Sequence, residues 1–269
     1  MPCALRFYAI APQTPPACPV LGGVSSPLML GRILFALAVA GLTVAAFVVH
    51  DAQLFQRPDL ARLIFFHLPC AITSTLFIFA GAYFGFRYLK THEVHWDIRA
   101  IAAQEMAAMM AVVTMITGIL FSKVQWGDWW NWDPRQTSFL IVLMIQGAYF
   151  ALRGAFEDAD RKATNSAAYA VASTLPVVFL VFVYPRMPNR FSLHPSNTIV
   201  SGGFDTQYRI VNYGLFALIL LYCVWSYRQR VRLGLLEAKL DDIDGNLETR
   251  RDDSAAPRVV RPVSVPPER

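Results

Sequence analysis

Trp126-Gly127-Asp128-Trp129-Trp130-Asn131-Trp132-Asp133-Pro134-Arg135 lies between two long apolar runs and holds four of the chain's six tryptophans. An indole ring favours the boundary between hydrocarbon and water, where its body is sheltered and its N–H still finds a polar partner, so the segment belongs at a membrane surface. One or two such rings anchor a helix end; four exceed that need. Read as a helix, the segment brings Trp126, Trp129, Trp130 and Asp133 onto one face through i, i+3, i+4, i+7 spacing. That face is a flat aromatic platform ending in a carboxylate, suited to a large planar apolar ligand. Asp133-Pro134 reads as an N-cap followed by proline at the first helical position, with Thr137 and Ser138 in the opening turns.

The runs on either side fix the class. Of 269 residues 55% are hydrophobic and 16% charged, and the apolar residues are clustered, which describes a bilayer protein and not a soluble core. About 20 apolar residues cross the hydrocarbon layer, and six runs qualify, near 29–49, 69–88, 101–121, 137–153, 165–184 and 209–227. Each is expected to be a helix, since strand edges go unsatisfied in lipid, and the alternating pattern of an outer-membrane barrel is absent. The expected fold is therefore all-α, an integral six-transmembrane-helix bundle. Residues 1–27, rich in proline and alanine, read as a flexible leader before a retained first helix, and 28–230 as the membrane domain. In 231–269, Val231 to Leu240 extend the last helix, and from Asp241 onward the charged, proline-rich sequence predicts disorder.

The net charge of +5 flanks the runs and forms no single patch, so membrane orientation explains it better than nucleic acid does. Placing both termini in the cytoplasm puts most of the 24 Lys and Arg residues on that side. Cys3, Cys18, Cys70 and Cys223 show no metal or disulfide spacing, and the last two fall within runs as small hydrophobes.

This orientation sorts the histidines. His50, His67 and His194 share the outer side with the tryptophans, whereas His92 and His95 lie opposite, in a charged connector without the spacing of a zinc protease. His67 precedes the second run, and Pro69, placed in that helix's first turn, fixes its height near the outer boundary. His194 sits in the long connection between the fifth and sixth runs. Alone, either is ordinary. Pro176 predicts a kink in the fifth run, and Arg186 and Arg190 at its outer end either anchor the helix or meet carboxylates. Gln104 and Glu105 lie toward the inner end of the third run, without an assigned role.

An aromatic platform, histidines and arginines on one side describe what haem requires: its macrocycle is flat and apolar, its iron takes axial nitrogen ligands, and its propionates are anionic. A structural metal needs Cys, His or Asp at closer spacing, and a channel needs polar residues lining the runs.

The pattern Trp-Gly-x-Trp-Trp-x-Trp-Asp-x-Arg at 126–135 resembles the WWD signature of the haem-handling proteins of cytochrome c maturation. From about Leu28 to Arg230 the chain resembles the CcmC type of that family. The resemblance implies that His67 and His194 are the axial ligands of haem b. It further implies that Trp126, Gly127, Trp129, Trp130, Trp132, Asp133 and Arg135 hold the haem edge, and it assigns His50 no counterpart. It implies a bacterial inner-membrane protein with its haem site on the periplasmic side and no turnover reaction of its own. The partners it implies are a CcmE-like haem chaperone and a complex with CcmA-, CcmB- and CcmD-like proteins. The larger CcsA and CcmF types carry further histidines deep within spans, which this chain lacks. Two other readings stay open: a CcsA-type component of a cytochrome c haem lyase or synthetase, and a transporter subunit without haem whose tryptophans only anchor the interface.

Overall fold

An apolar run in lipid must satisfy its own backbone, and this chain does so with six α-helices. They are α1 (Pro27–Val48), α2 (Ile64–Thr91), α3 (Val94–Trp126), α4 (Pro134–Gly154), α5 (Ala159–Val178) and α6 (Thr206–Ala255). The computed structural model describes residues 27–51, 55–188, 191–194 and 205–255, and among these there is no strand. All six helices are long and apolar enough to cross a bilayer. Because they alternate in direction, the end of α1, start of α2, end of α3, start of α4, end of α5 and start of α6 gather at one end of the bundle. His50, His67, the tryptophan segment and His194 belong to that end; His92 and His95 belong to the other.

Lipid gives two helices no hydrophobic reason to associate, so close packing depends on small residues. α2 is the centre, lying against α3, α5 and α6. At Gly81 a Cβ would come within 2.7 Å of the Gln104 side chain of α3, and at Gly85 within 3.3 Å of the Ala167 backbone of α5. Facing α2, α3 presents a fully buried stripe of Ala103, Ala107 and Ala111. Ser74 spends its hydroxyl on the Ala107 carbonyl, 2.9 Å away. α1 rests on α6, where Gly214 makes room for Leu42. Cys70 and Cys223 are free and buried in one apolar cluster, as small hydrophobes. At the end away from the tryptophan segment, Arg153 grips both carboxylate oxygens of Asp97 at 2.8 and 2.6 Å, and Arg230 those of Glu105 at 2.8 and 3.2 Å.

Three expectations need correction. First, α2 begins at Ile64 behind a 3-10 turn at Pro58–Leu63, so Pro69 is in the helix interior and His67 lies within α2, not before it. Pro58 takes the helix-starting role expected of Pro69, whereas Pro69, inside α2, leaves the Phe65 carbonyl without its helical N–H. Second, the tryptophan segment is not helical. Gly127, at φ 88°, caps α3 in the left-handed conformation, and residues 127–133 form a loop. Third, α6 stays helical to Ala255, past Asp241 where the charge pattern predicts loss of structure. Residues such as Leu, Glu, Lys and Arg are good helix formers whatever their charge. In α5, Pro176 is followed by a π turn at Phe179–Val183 and a 3-10 turn at Tyr184–Arg186, the irregularity expected after a proline.

Candidate functional site

The site is built outward from Asp133. Its side chain caps α4, accepting from the Arg135 N–H at 2.9 Å, with Pro134 at the first helical position. The same carboxylate reaches across the bundle end to residues 191–194. Its Oδ2 accepts from the Ser192 hydroxyl at 2.8 Å and the Leu193 N–H at 2.6 Å, and its Oδ1 from His194 Nδ1 at 2.9 Å. A buried carboxylate is stable only if its lone pairs are engaged. Here four donors meet one acceptor-only group. Burial opposes the charge on Asp133, but the hydrogen bonds from His194, Ser192 and Arg135 outweigh it and hold the carboxyl well below the usual carboxylate range.

With Nδ1–H given to Asp133, the lone pair of His194 is on Nε2, the tautomer in which a carboxylate behind the ring prepares an imidazole to bind a metal. His67 is prepared in the same way. Its Nδ1 lies 3.1 Å from the Thr117 hydroxyl, which spends its only proton on the carbonyls of Val113 at 2.8 Å and Thr114 at 3.1 Å. With that proton on a carbonyl, the hydroxyl oxygen accepts from Nδ1–H, the tautomer that leaves the lone pair on Nε2. Neither Nε2 makes a hydrogen bond among the described residues.

Aromatic rings join the two imidazoles. Phe121 lies nearly parallel to His67, at 13° with centroids 6.5 Å apart, and Trp126 stands edge-on to Phe121 at 5.8 Å. Trp126 in turn meets the His194 ring edge-on at 4.9 Å. Gly118 sets the depth of His67, because a Cβ there would fall 2.9 Å from Cε1 of the ring.

The loop between α3 and α4 is held by polar side chains from both helices. Ser122 donates to the Asp128 carbonyl at 2.8 Å and accepts from the Asn131 amide at 2.7 Å. Gln136 accepts from the Asn131 N–H at 3.1 Å and donates to the Trp129 carbonyl at 3.2 Å. Gln125 clamps both backbone groups of Arg57, at 3.1 and 2.8 Å, and so ties down the entry to α2. Trp132 is held at φ 53°, a left-handed conformation costing a residue with a Cβ about 1–3 kcal/mol. The result presents Trp129 (56% exposed) and Trp132 (76%) to the outside, with Trp130 edge-on to Trp132 at 5.9 Å.

The profile of the family described as Heme exporter protein C matches residues 14–240. The chain belongs to that family. Among individual relatives, Heme exporter protein C of Escherichia coli K12 is 27% identical over 186 residues, 69% of this chain and 75% of the relative. That of Haemophilus influenzae is 26% identical over 211 residues, 76% and 79% respectively. That of Paracoccus denitrificans is 32% identical over 110 residues, 40% of this chain and 45% of the relative.

In this member of the Heme exporter protein C family, the residues singled out from sequence divide in two. Trp126, Asp133, Arg135, His67 and His194 converge at one bundle end, while Trp129, Trp130 and Trp132 form its outward rim and Gly127 the turn between them. Arg186 donates to the Val181 and Phe182 carbonyls at 3.1 and 3.0 Å, which anchors the helix end. Arg190 is outside the described residues. His50 pairs with Asp205, which joins the end of α1 to the start of α6. Sequence reasoning missed Thr117, Gly118, Phe121, Ser122, Gln125, Gln136 and Ser192. Polar and small residues inside an otherwise apolar run, as in Thr114-x-x-Thr117-Gly118, were the available signal.

Proposed function

We propose that this protein binds haem b between His67 and His194 at the external face of a bacterial inner membrane and hands it to a periplasmic haem chaperone for cytochrome c assembly. The observation that carries the reading is the matched preparation of the two imidazoles. Each has Nδ1–H held by an oxygen, Asp133 on one side and Thr117 on the other, and each leaves Nε2 unengaged at the same end of the bundle. Haem when bound supplies an iron that accepts two axial nitrogens. The chain's part is to aim those nitrogens, to shelter the macrocycle with Trp126 and Phe121, and to oppose the propionate charge. Arg135 suits the last task, since its buried Nε finds no acceptor among the described residues. The exposed Trp129 and Trp132 leave the rim open to an acceptor, so release needs no unfolding. In this reading the protein is a carrier without a turnover reaction, its acceptor is a CcmE-like chaperone, and it works beside CcmA-, CcmB- and CcmD-like proteins.

The test is transfer. Haem-loaded protein in detergent is mixed with an apo chaperone of the CcmE type, the two are separated, and haem is followed by absorbance. Haem is expected to leave with the chaperone from the wild type; haem that stays on a loaded, folded protein contradicts the hand-off.

A further inference from the structure

At the end of the bundle away from the 126–135 tryptophan segment, Phe84 of α2, Arg99 of α3 and Tyr227, Arg228, Val231 and Arg232 of α6 line a surface-open pocket of about 310 Å3. Its floor is aromatic, with the Phe84 and Tyr227 rings parallel to within 7° and 6.2 Å apart. Its rim is basic. Arg99 is held with its guanidinium 4.7 Å from the centre of the Trp96 ring, and Arg87 lies at the same distance from that ring.

The nearby carboxylates are already committed. Asp97 belongs to Arg153, and Glu105 to Arg230, which Glu237 also faces at 3.9 Å. Asp160 accepts from Tyr88 at 3.0 Å, and Glu93 from the Trp96 indole at 3.1 Å. Among the described residues no ion pair neutralises Arg99, Arg228 or Arg232. Three uncompensated guanidinium groups over an apolar floor favour a ligand that is both anionic and oily.

The place selects the source of that ligand. The pocket sits where α6 passes from the apolar Leu220–Val224 stretch to Arg228, and Tyr83, Phe86, Tyr222 and Trp225 are exposed beside it, the aromatic belt of a membrane boundary. We propose that it binds the phosphate head group of an anionic phospholipid, with Arg99, Arg228 and Arg232 on the phosphate and Phe84, Tyr227 and Val231 against the glycerol and upper acyl chain. Basic pockets between transmembrane helices hold anionic head groups in this way.

Full-length protein in detergent is titrated with dioleoyl phosphatidylglycerol and, separately, dioleoyl phosphatidylcholine, and bound lipid is counted by native mass spectrometry. The wild type is expected to retain phosphatidylglycerol preferentially, and R228Q/R232Q to bind it about 25-fold more weakly, at roughly a factor of five per arginine. R228K/R232K, which keeps the charge, is expected to retain most of the binding, and R57Q, at the opposite end, all of it. The proposal is overturned if phosphatidylcholine binds equally well, if R228Q/R232Q binds as the wild type does, if R57Q weakens binding as much as R228Q/R232Q, or if inorganic phosphate at equal concentration displaces the lipid. Thermal unfolding of each variant separates loss of the pocket from loss of the fold, and the lysine variant decides the matter if the glutamine variant unfolds.

Discussion

Asp133 Oδ1 lies 2.9 Å from His194 Nδ1 while also capping α4, so one carboxylate fixes a helix start and aims an imidazole contributed from 61 residues further along the chain. All four of its partners are donors. Asparagine is as good an N-cap as aspartate, yet its amide turns two hydrogens toward groups that also donate. Asp133→Asn is therefore expected to leave α4 intact, as circular dichroism would report, and to weaken haem binding by about ten- to a hundredfold. Unchanged affinity would remove Asp133 from the ligand's support.

The same carboxyl sets a pH dependence. Its folded-state pKa is depressed, so its stabilisation is fully present above the ordinary carboxylate value, near 4, and is lost only as pH falls through the lower folded value. The stability difference between wild type and Asp133→Asn, from thermal unfolding without haem, is expected to persist as pH falls from 7 to about 4 and to shrink only below it. A difference that disappears near pH 6 would contradict the assignment.

At His67 the decisive neighbour is Gly118. An alanine methyl there meets the imidazole at 2.9 Å, although in a helix interior alanine is favoured over glycine by about 1 kcal/mol. Gly118→Ala is expected to perturb the haem spectrum as a ligand variant does while the protein unfolds at the same temperature or higher. A normal spectrum would mean that the ring has room to move.

Thr117→Val removes the oxygen that receives the Nδ1 hydrogen of His67, and Thr117→Ser keeps it. Haem affinity is expected to fall about tenfold in the first variant and to be retained in the second. Equal losses would point to packing and not to the tautomer.

The Arg153–Asp97 pair is mostly buried, at 17% and 14% exposed, and stands at the other end of the bundle. Leaving one of two buried partners unpaired costs about 3–5 kcal/mol, so Asp97→Asn is expected to lower the unfolding temperature without altering the haem spectrum. A spectral change would mean that the two ends are coupled.

How much of this was legible in the sequence follows from the range of each interaction. Helix number and the sorting of the histidines between two ends were legible, because length and hydropathy of a run decide them locally. The Asp133-Pro134 cap was legible for the same reason. The platform was misread, since i, i+3, i+4, i+7 spacing presupposes a helix, whereas Gly127 ends α3 and leaves Ser122 and Gln136 to shape a loop. The depth of His67 was misplaced because Pro69 and Pro58 are both acceptable near a helix start, and only packing against Thr117 and Gly118 distinguishes them. The bond from Asp133 to His194 is a tertiary contact that no local pattern encodes.

The central claim is that His67 and His194 bind one haem through Nε2, and the absorption spectrum of the detergent-purified protein tests it most directly. The wild type is expected to show the bands of haem with two histidine ligands, and His67→Ala and His194→Ala each to lose them and to regain them when free imidazole is added. A colourless wild type, or spectra unchanged in both variants, would contradict it.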